Sequence, residues 1–290
     1  MRAEFYLILT AIFWGVNFYF AQLMLSESSV VEAATWRYIF GVGTLLIIGW
    51  NSLRKIRLQD ISIKGVVLLG FIGLFAFNVL FFKGMQLTNA INASLLVNLN
   101  PIMTVLFASW LIGVKITRYH IIGATISIIG VAYLLFQGDW TQLQTLQFNR
   151  GDLYIFGGAV IFALHNVWVK MYQGNLSSLN FTTLTNIACL TGFLLFMTVQ
   201  PVSLSVSHSP EYWIWSLGIG TLGTALAYFF FNKGVAMIGP DRASMFLNLV
   251  PLTTVVAGIV LGRPLHAYHI VSGLIILTGV TIAQRAKPAA

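Results

Sequence analysis

Two amides, Asn98 and Asn100, and the proline that follows them, Pro101, interrupt the apolar stretch NASLLVNLNPIMTV (92–105). In hydrocarbon an amide without a partner costs roughly 2–7 kcal/mol, so these groups must meet another helix, water or a polar solute. The chemistry they offer is uncharged hydrogen bonding, since each amide both donates and accepts. Pro101 cannot donate to the carbonyl of Val97, which predicts a kinked helix with one free acceptor. The stretch RASMFLNLVPLTTV (242–255) sets Ser244, Asn248 and Pro251 at the spacing of Ser94, Asn98 and Pro101. On each helix the serine and the asparagine share a face, and Pro251 frees the carbonyl of Leu247 in the same way.

The likeness between the two stretches is part of a longer repeat. Residues 81–105 align with 231–255 at an offset of 150, without a gap, with ten identities in 25 positions. Residues 119–131 then align with 268–280 at an offset of 149. The same offsets pair Asn17 with Asn166 and Asn78 with Tyr228. The chain reads as a duplication, with one unit over 1–145 and a second over 146–290.

Composition determines which elements position these residues. With 58% hydrophobic and 8% charged residues, against roughly 25% charged in a soluble domain, the chain belongs in a bilayer. Apolar stretches near 4–25, 31–50, 65–86, 92–112, 119–137, 151–172, 179–200, 212–232, 243–262 and 267–285 each approach the roughly 20 residues that cross a hydrocarbon core. The first is long and followed by many others, which favours a retained helix over a cleaved signal. In such an arrangement twelve of the 16 basic residues fall on one side, and four, Arg37, Lys83, Arg150 and Arg263, on the other. The positive-inside rule then puts both termini in the cytoplasm. Five spans per unit invert the second copy relative to the first. The expected fold is an all-α integral membrane protein of ten transmembrane helices, two inverted five-helix repeats, multi-pass in the cell inner (plasma) membrane.

Substrate paths in such folds run near the midplane between the repeats. Asn17, Asn78, Ser94, Asn98, Asn166, Tyr228 and Asn248 are therefore expected to line a water-filled passage bounded by spans 1, 3, 4, 6, 8 and 9, with spans 5 and 10 as support. The competing reading makes each asparagine an interhelical link worth about 0.6–2 kcal/mol. Trp14, Phe82 and Tyr228 lie near the polar faces and would stack on a substrate. His165, beside Asn166, would hydrogen-bond as a neutral ring or relay protons. Arg37, about six residues into span 2, would attract a substrate carboxylate or pin a helix end. Lys83 and Lys233 occupy equivalent places and would greet an anionic group at either gate or snorkel to the interface.

These residues and their order resemble a known family. IFWGVNF (12–18), Arg37, the run KGMQLTNAINASLLVNLNPIMTVLFA and GATISIIGV (123–131) resemble the EamA branch of the drug/metabolite transporter superfamily, over the whole chain and twice. The resemblance implies a ten-helix inverted-repeat transporter of small metabolites, commonly moving them outward. Within that branch the chain is similar to the YddG-type amino acid exporters. Many relatives carry a glutamate after the glycine that ends spans 4 and 9, whereas Val114 and Arg263 stand here, so that acid's role is not carried over.

No span holds an Asp or Glu near its centre, although proton-coupled carriers often use such acids. The reading is a facilitator or exchanger running down the substrate gradient, with a proton-coupled antiporter using His165 as the alternative. One cysteine, Cys189, leaves no disulfide framework. His120, His208, His266 and His269 lack zinc spacing, so neither metal nor cofactor is expected. The basic residues punctuate the spans and form no nucleic-acid-binding domain. There is no GxxxxGK[ST] phosphate loop and no HExxH pair, so no ATPase subunit and no enzyme is expected. The remaining partners are the lipid bilayer and a small-molecule substrate. Amides, aromatics and nearby cations suit a neutral or zwitterionic metabolite, foremost an amino acid with an aromatic or hydrophobic side chain. A passive channel or a membrane-embedded enzyme is the more distant alternative.

Overall fold

Each apolar stretch becomes a helix because a backbone in lipid must satisfy its own hydrogen bonds, and polar side chains mark where several helices start. Ser29, Ser62, Thr117, Asn149, Ser177 and Ser209 each accept a hydrogen bond from a first-turn N–H of the helix that follows, satisfying groups that otherwise have no partner. The computed structural model describes residues 2–88, 90–200 and 202–286, apart from the side chains at 90–92, 94 and 145.

The helices are α1 (Ala3–Leu25), α2 (Val30–Leu53), α3 (Ile63–Met85), α4 (Ala90–Val97 continued by Asn100–Ile112), α5 (Arg118–Leu135), α6 (Arg150–Tyr172), α7 (Ser178–Val199), α8 (Pro210–Ile238), α9 (Pro240–Val260) and α10 (Ala267–Ala283). Every expected span coincides with one of them. Among the described residues nine helices are long and apolar enough to cross a membrane, while α10 has 17 residues. Ile47, Trp110, Val199 and Val260 are each more than three-quarters exposed on the outside of the bundle, as lipid-facing side chains would be. The chain is a multi-pass membrane protein.

Packing follows a regular scheme. α1 lies against α8 and α9, and α6 lies against α3 and α4; α2 packs on α8 as α7 packs on α3; α2 meets α7, and α5 meets α10. Exchanging the first five helices for the last five converts each pairing into another of the set or, for α2–α7 and α5–α10, into itself. The α5–α10 pair is the closest, and small residues make it so. A Cβ on Gly279 would lie 2.5 Å from the backbone N of Ser127 and 2.6 Å from the carbonyl of Gly123.

The scheme is broken at one place. The second half of α8, Ala227–Ile238, packs on α6 and α7, but its counterpart in α3, Phe77–Met85, makes no comparably extensive contact with α1 or α2. Phe231 and Asn232 are buried, whereas the equivalent Phe81 and Phe82 are half-buried. Asn232 Nδ2 also donates to Thr182 Oγ1 of α7 at 2.8 Å. The bundle is thus tightly joined at the charge-rich end and looser at the charge-poor end.

Two helical irregularities lie in the repeat. α3 and α8 widen to π-helix over Leu68–Ala76 and Ile219–Leu226, matching positions of the two units. The expected proline kinks take a different form. α4 is interrupted at residues 98–99 and α9 tightens to 3₁₀ over Met245–Leu249, so Pro101 and Pro251 stand in the first turn of the segments that follow. A first-turn proline needs no donor there, so the break precedes the proline.

At the charge-poor end two carboxylates strap the loop before α8 to the α1–α2 turn. Glu32 Oε1 accepts from Ser205 N at 2.7 Å and lies 3.0 Å from His208 Nε2. Glu27 accepts from Ser209 Oγ at 2.7 Å and Ser209 N at 3.0 Å. The Ser209 hydroxyl and then its N–H hold the Glu27 carboxyl below its ordinary pKa, with His208 assisting. A carboxylate depressed by folding stabilises above its unfolded pKa, and that contribution fades as pH falls through the folded value. Acidification from about pH 7 to about pH 3 is therefore expected to release Ser209 and raise amide exchange across 202–209, and Glu27→Gln to remove much of that pH dependence.

Candidate functional site

A chain of rings joins the two units at the centre. Trp14 of α1 contacts Tyr228 and Phe231 of α8, both at 5.4 Å between centroids, and Phe162 of α6 at 6.0 Å. His165, one helical turn beyond Phe162, is stacked on it at 5.6 Å and meets Tyr228 at 6.3 Å. Phe77 stacks on the other side of Phe162 at 4.8 Å. Trp14, His165 and Tyr228, expected at the site from sequence, are thus brought together.

The π-helical segments determine how the polar groups enter. A Cβ on Gly73 of α3 would lie 2.5 Å from His165 Nδ1, and one on Gly223 of α8 would collide with the amide of Asn17. Only glycine at these equivalent positions admits those side chains. Trp14 Nε1 donates to the Gly223 carbonyl at 3.0 Å, a backbone group made available where the helix widens. His165 is 1% exposed, and neither of its ring nitrogens has a hydrogen-bond partner among the described residues. The same holds for both amide atoms of Asn248, which is fully buried, and for Oδ1 of Asn17.

Other expected residues take different places. Asn166 donates to Asn100 Oδ1 at 3.0 Å and Thr104 Oγ1 at 3.1 Å, while Asn100 Nδ2 donates to the Ala159 carbonyl at 3.1 Å. This network ties α6 to α4 through Asn166 Nδ2, while Asn166 Oδ1, like Oδ1 of Asn17, has no hydrogen-bond partner among the described residues. Asn78 Nδ2 donates to the Leu74 carbonyl at 2.8 Å and to Tyr38 OH at 3.2 Å. Asn98 is buried at the break in α4, and the side chain of Ser94 lies outside the described residues. Phe82 packs at the edge of the Tyr38–Tyr228 cluster.

The cations are held individually. Arg37 Nε donates to Thr224 Oγ1 at 2.6 Å, and its guanidinium lies 5.8 Å from the Tyr38 ring. Lys83 Nζ sits 4.9 Å from the Tyr154 ring of α6, and Lys233 Nζ 4.4 Å from the Tyr6 ring of α1. The two lysines therefore obey the repeat, each over a tyrosine of the first helix of the other unit.

The expected site left out Tyr38, Asn100, Thr104 and the glycine pair. Asn100 was visible as an amide within an apolar run, but Val250 occupies the equivalent place in the second unit, so the repeat did not mark it.

Where a water-filled passage was expected, the centre is filled by packed rings. A hollow of about 200 Å³ lies at the end of α6, near Lys170, Gln173 and Ala236, away from the ring cluster. A cavity of about 20 Å³, room for roughly one water, lies between Met24, Ala33, Arg37, Phe82 and Ile219.

Known proteins resemble this chain in fold or in sequence. A crystal structure of another protein superposes with a TM-score of 0.78 at 18% identity, covering 97% of this chain and 96% of that one. The chain is 29% identical to the uncharacterized transporter YyaM of Bacillus subtilis (strain 168), over 94% of this chain and 90% of that protein. It is 23% identical to a probable terminal-alkyne amino-acid exporter of Streptantibioticus cattleyicolor, over 98% and 94% of the two chains. The model of the EamA-like transporter family matches residues 1–136 and again 149–284. The chain therefore belongs to the EamA-like transporter family.

Proposed function

We propose that this protein is an alternating-access carrier that exports or exchanges small neutral or zwitterionic metabolites across the plasma membrane, foremost amino acids with aromatic or hydrophobic side chains. The observation that carries the reading is a set of buried polar atoms without a hydrogen-bond partner among the described residues, on His165, Asn17 and Asn248, in a bundle whose centre is walled by Trp14, Phe162 and Tyr228. Buried polar groups are almost always satisfied, so in the working cycle a polar solute or water meets them once the rings part. The rings supply stacking and apolar contact for the rest of the solute.

The exchanged helix pairings support two inverted five-helix repeats, and the two matches to the family model agree with them. The joined charge-rich end and the looser charge-poor end support a cycle in which the two ends open in turn. The exporter among the relatives makes amino acids the first substrates to try. Exchange down the gradient is preferred to proton coupling because His165 is surrounded by rings and a glycine. The buried acids that pair with histidine, Glu32 and Asp241, belong to His208 and His120.

Counterflow in proteoliposomes preloaded with single amino acids tests the reading. Saturable uptake accelerated by internal aromatic or branched amino acids is expected, with proton flux unchanged in His165→Gln. Indifference to every amino acid removes the substrate class, and saturable uptake without trans-stimulation removes the exchange mechanism.

A further inference from the structure

We propose that Arg37 forms a carboxylate-binding subsite in the cleft between α2 and the loose half of α3, where it receives the acid group of the transported solute. This rests on the carrier reading above and names the group by which a substrate is held on the charge-poor side.

A guanidinium carries five donors and a fixed positive charge. In Arg37 one donor, Nε, is used on Thr224 Oγ1, and no acceptor among the described residues meets its two terminal nitrogens. The side chain is half-buried in α2, within a span whose neighbours here are Ala33, Met24, Phe82 and Ile219. A charge in such surroundings needs a counter-charge. Neither ion pair among the described residues, His120 with Asp241 or Glu32 with His208, includes Arg37. The bond to Thr224 and the contact with Tyr38 orient the guanidinium without neutralising it. A carboxylate would do both, because its two oxygens match the guanidinium fork.

A second, independent observation makes the place accessible. The equivalent region of the other unit is shut by Phe231, Asn232 and Thr182, whereas the half-buried Phe82 borders the small cavity beside Arg37. Parting α3 from α2 enlarges that cavity toward the ring cluster, since Phe82 also packs on the group that contains Tyr38 and Tyr228. A zwitterion with an aromatic side chain would place its carboxylate on Arg37 and its ring against Phe82.

The test uses the full chain, purified and reconstituted, and reads thermal stabilisation by phenylalanine, N-acetylphenylalanine and phenylalanine methyl ester in the wild type, Arg37→Gln and Thr224→Val. The two free carboxylates are expected to stabilise the wild type at concentrations about tenfold below the ester. Arg37→Gln loses the preference and Thr224→Val keeps it. Should Arg37→Gln not fold, Arg37→Lys, which retains charge but not the fork, reads the same preference and is expected to weaken it. A preference that survives replacement of Arg37, disappears equally in Thr224→Val, or is absent from the wild type overturns the proposal and leaves Arg37 as a pin between α2 and α8. Counterflow separates the two readings. Amino acid counterflow without an Arg37-dependent preference keeps the carrier and removes the subsite. Arg37-dependent stabilisation by N-acetylphenylalanine without counterflow of any amino acid keeps the subsite and removes the amino acid reading.

Discussion

Trp14→Ala is expected to reduce amino acid counterflow about a hundredfold and to destabilise the bundle by about 3 kcal/mol, the low end of the range for truncating a large aromatic, because the indole is half-buried. The indole touches Tyr228, Phe231 and Phe162 and closes a hydrogen bond to the Gly223 carbonyl. Alanine leaves a hole where α1, α6 and α8 meet and strips a backbone acceptor of its donor. Trp14→Phe separates the two effects, because a ring remains while the donor is lost. It is expected to melt within about 1–2 kcal/mol of the wild type and to retain intermediate counterflow. Melting in detergent and counterflow per folded molecule are the measurements. Full counterflow by a folded Trp14→Ala protein would remove the ring cluster from the transport path.

Gly279→Val is expected to have a comparable effect on stability and little on transport per folded molecule. The added Cβ would meet the backbone of Ser127 and Gly123 at 2.5 and 2.6 Å, so no rotamer change relieves the clash. α5 and α10 must separate, and the van der Waals contact that joins helices in lipid is lost along their length. Overpacking of this kind costs about 3 kcal/mol. The pair packs on the Met245–Leu249 turn of α9 and has no extensive contact with α1, α6 or α8, so molecules that fold are expected to keep the ring chain. A fall in melting temperature and monodisperse yield with preserved specific counterflow is the expected pattern. A selective loss of counterflow would place α5 and α10 in the transport cycle itself.

The helical layout was legible because most spans are long apolar runs, several of them opened by a polar cap, and the offset of 150 paired positions in the two halves. That Trp14, His165 and Tyr228 come together was legible because their type and depth are written in the chain. The π-helical segments were not, since a widened turn depends on what packs against it and Gly73 and Gly223 look like ordinary small residues in a span. The alignment also suggested that Asn17 and Asn166 are equals. Their Oδ1 atoms are alike in being buried without a partner among the described residues, but Asn166 Nδ2 also reaches Asn100 and Thr104 across the α4–α6 contact, a link set by neighbours more than 60 positions away. The prolines marked their interruptions correctly but not their form, because a helix that restarts at proline and one that bends at proline share a sequence.

The unequal closure of the two ends has an energetic consequence. Separating α8 from α7 breaks the Asn232–Thr182 bond where little water is at hand to replace it, whereas parting Phe82 from Ala33 exchanges hydrocarbon surface for lipid or solvent. In the proposed alternating-access cycle the former barrier would be mainly enthalpic and the latter mainly a matter of hydration, so warming would speed the two gating steps unequally.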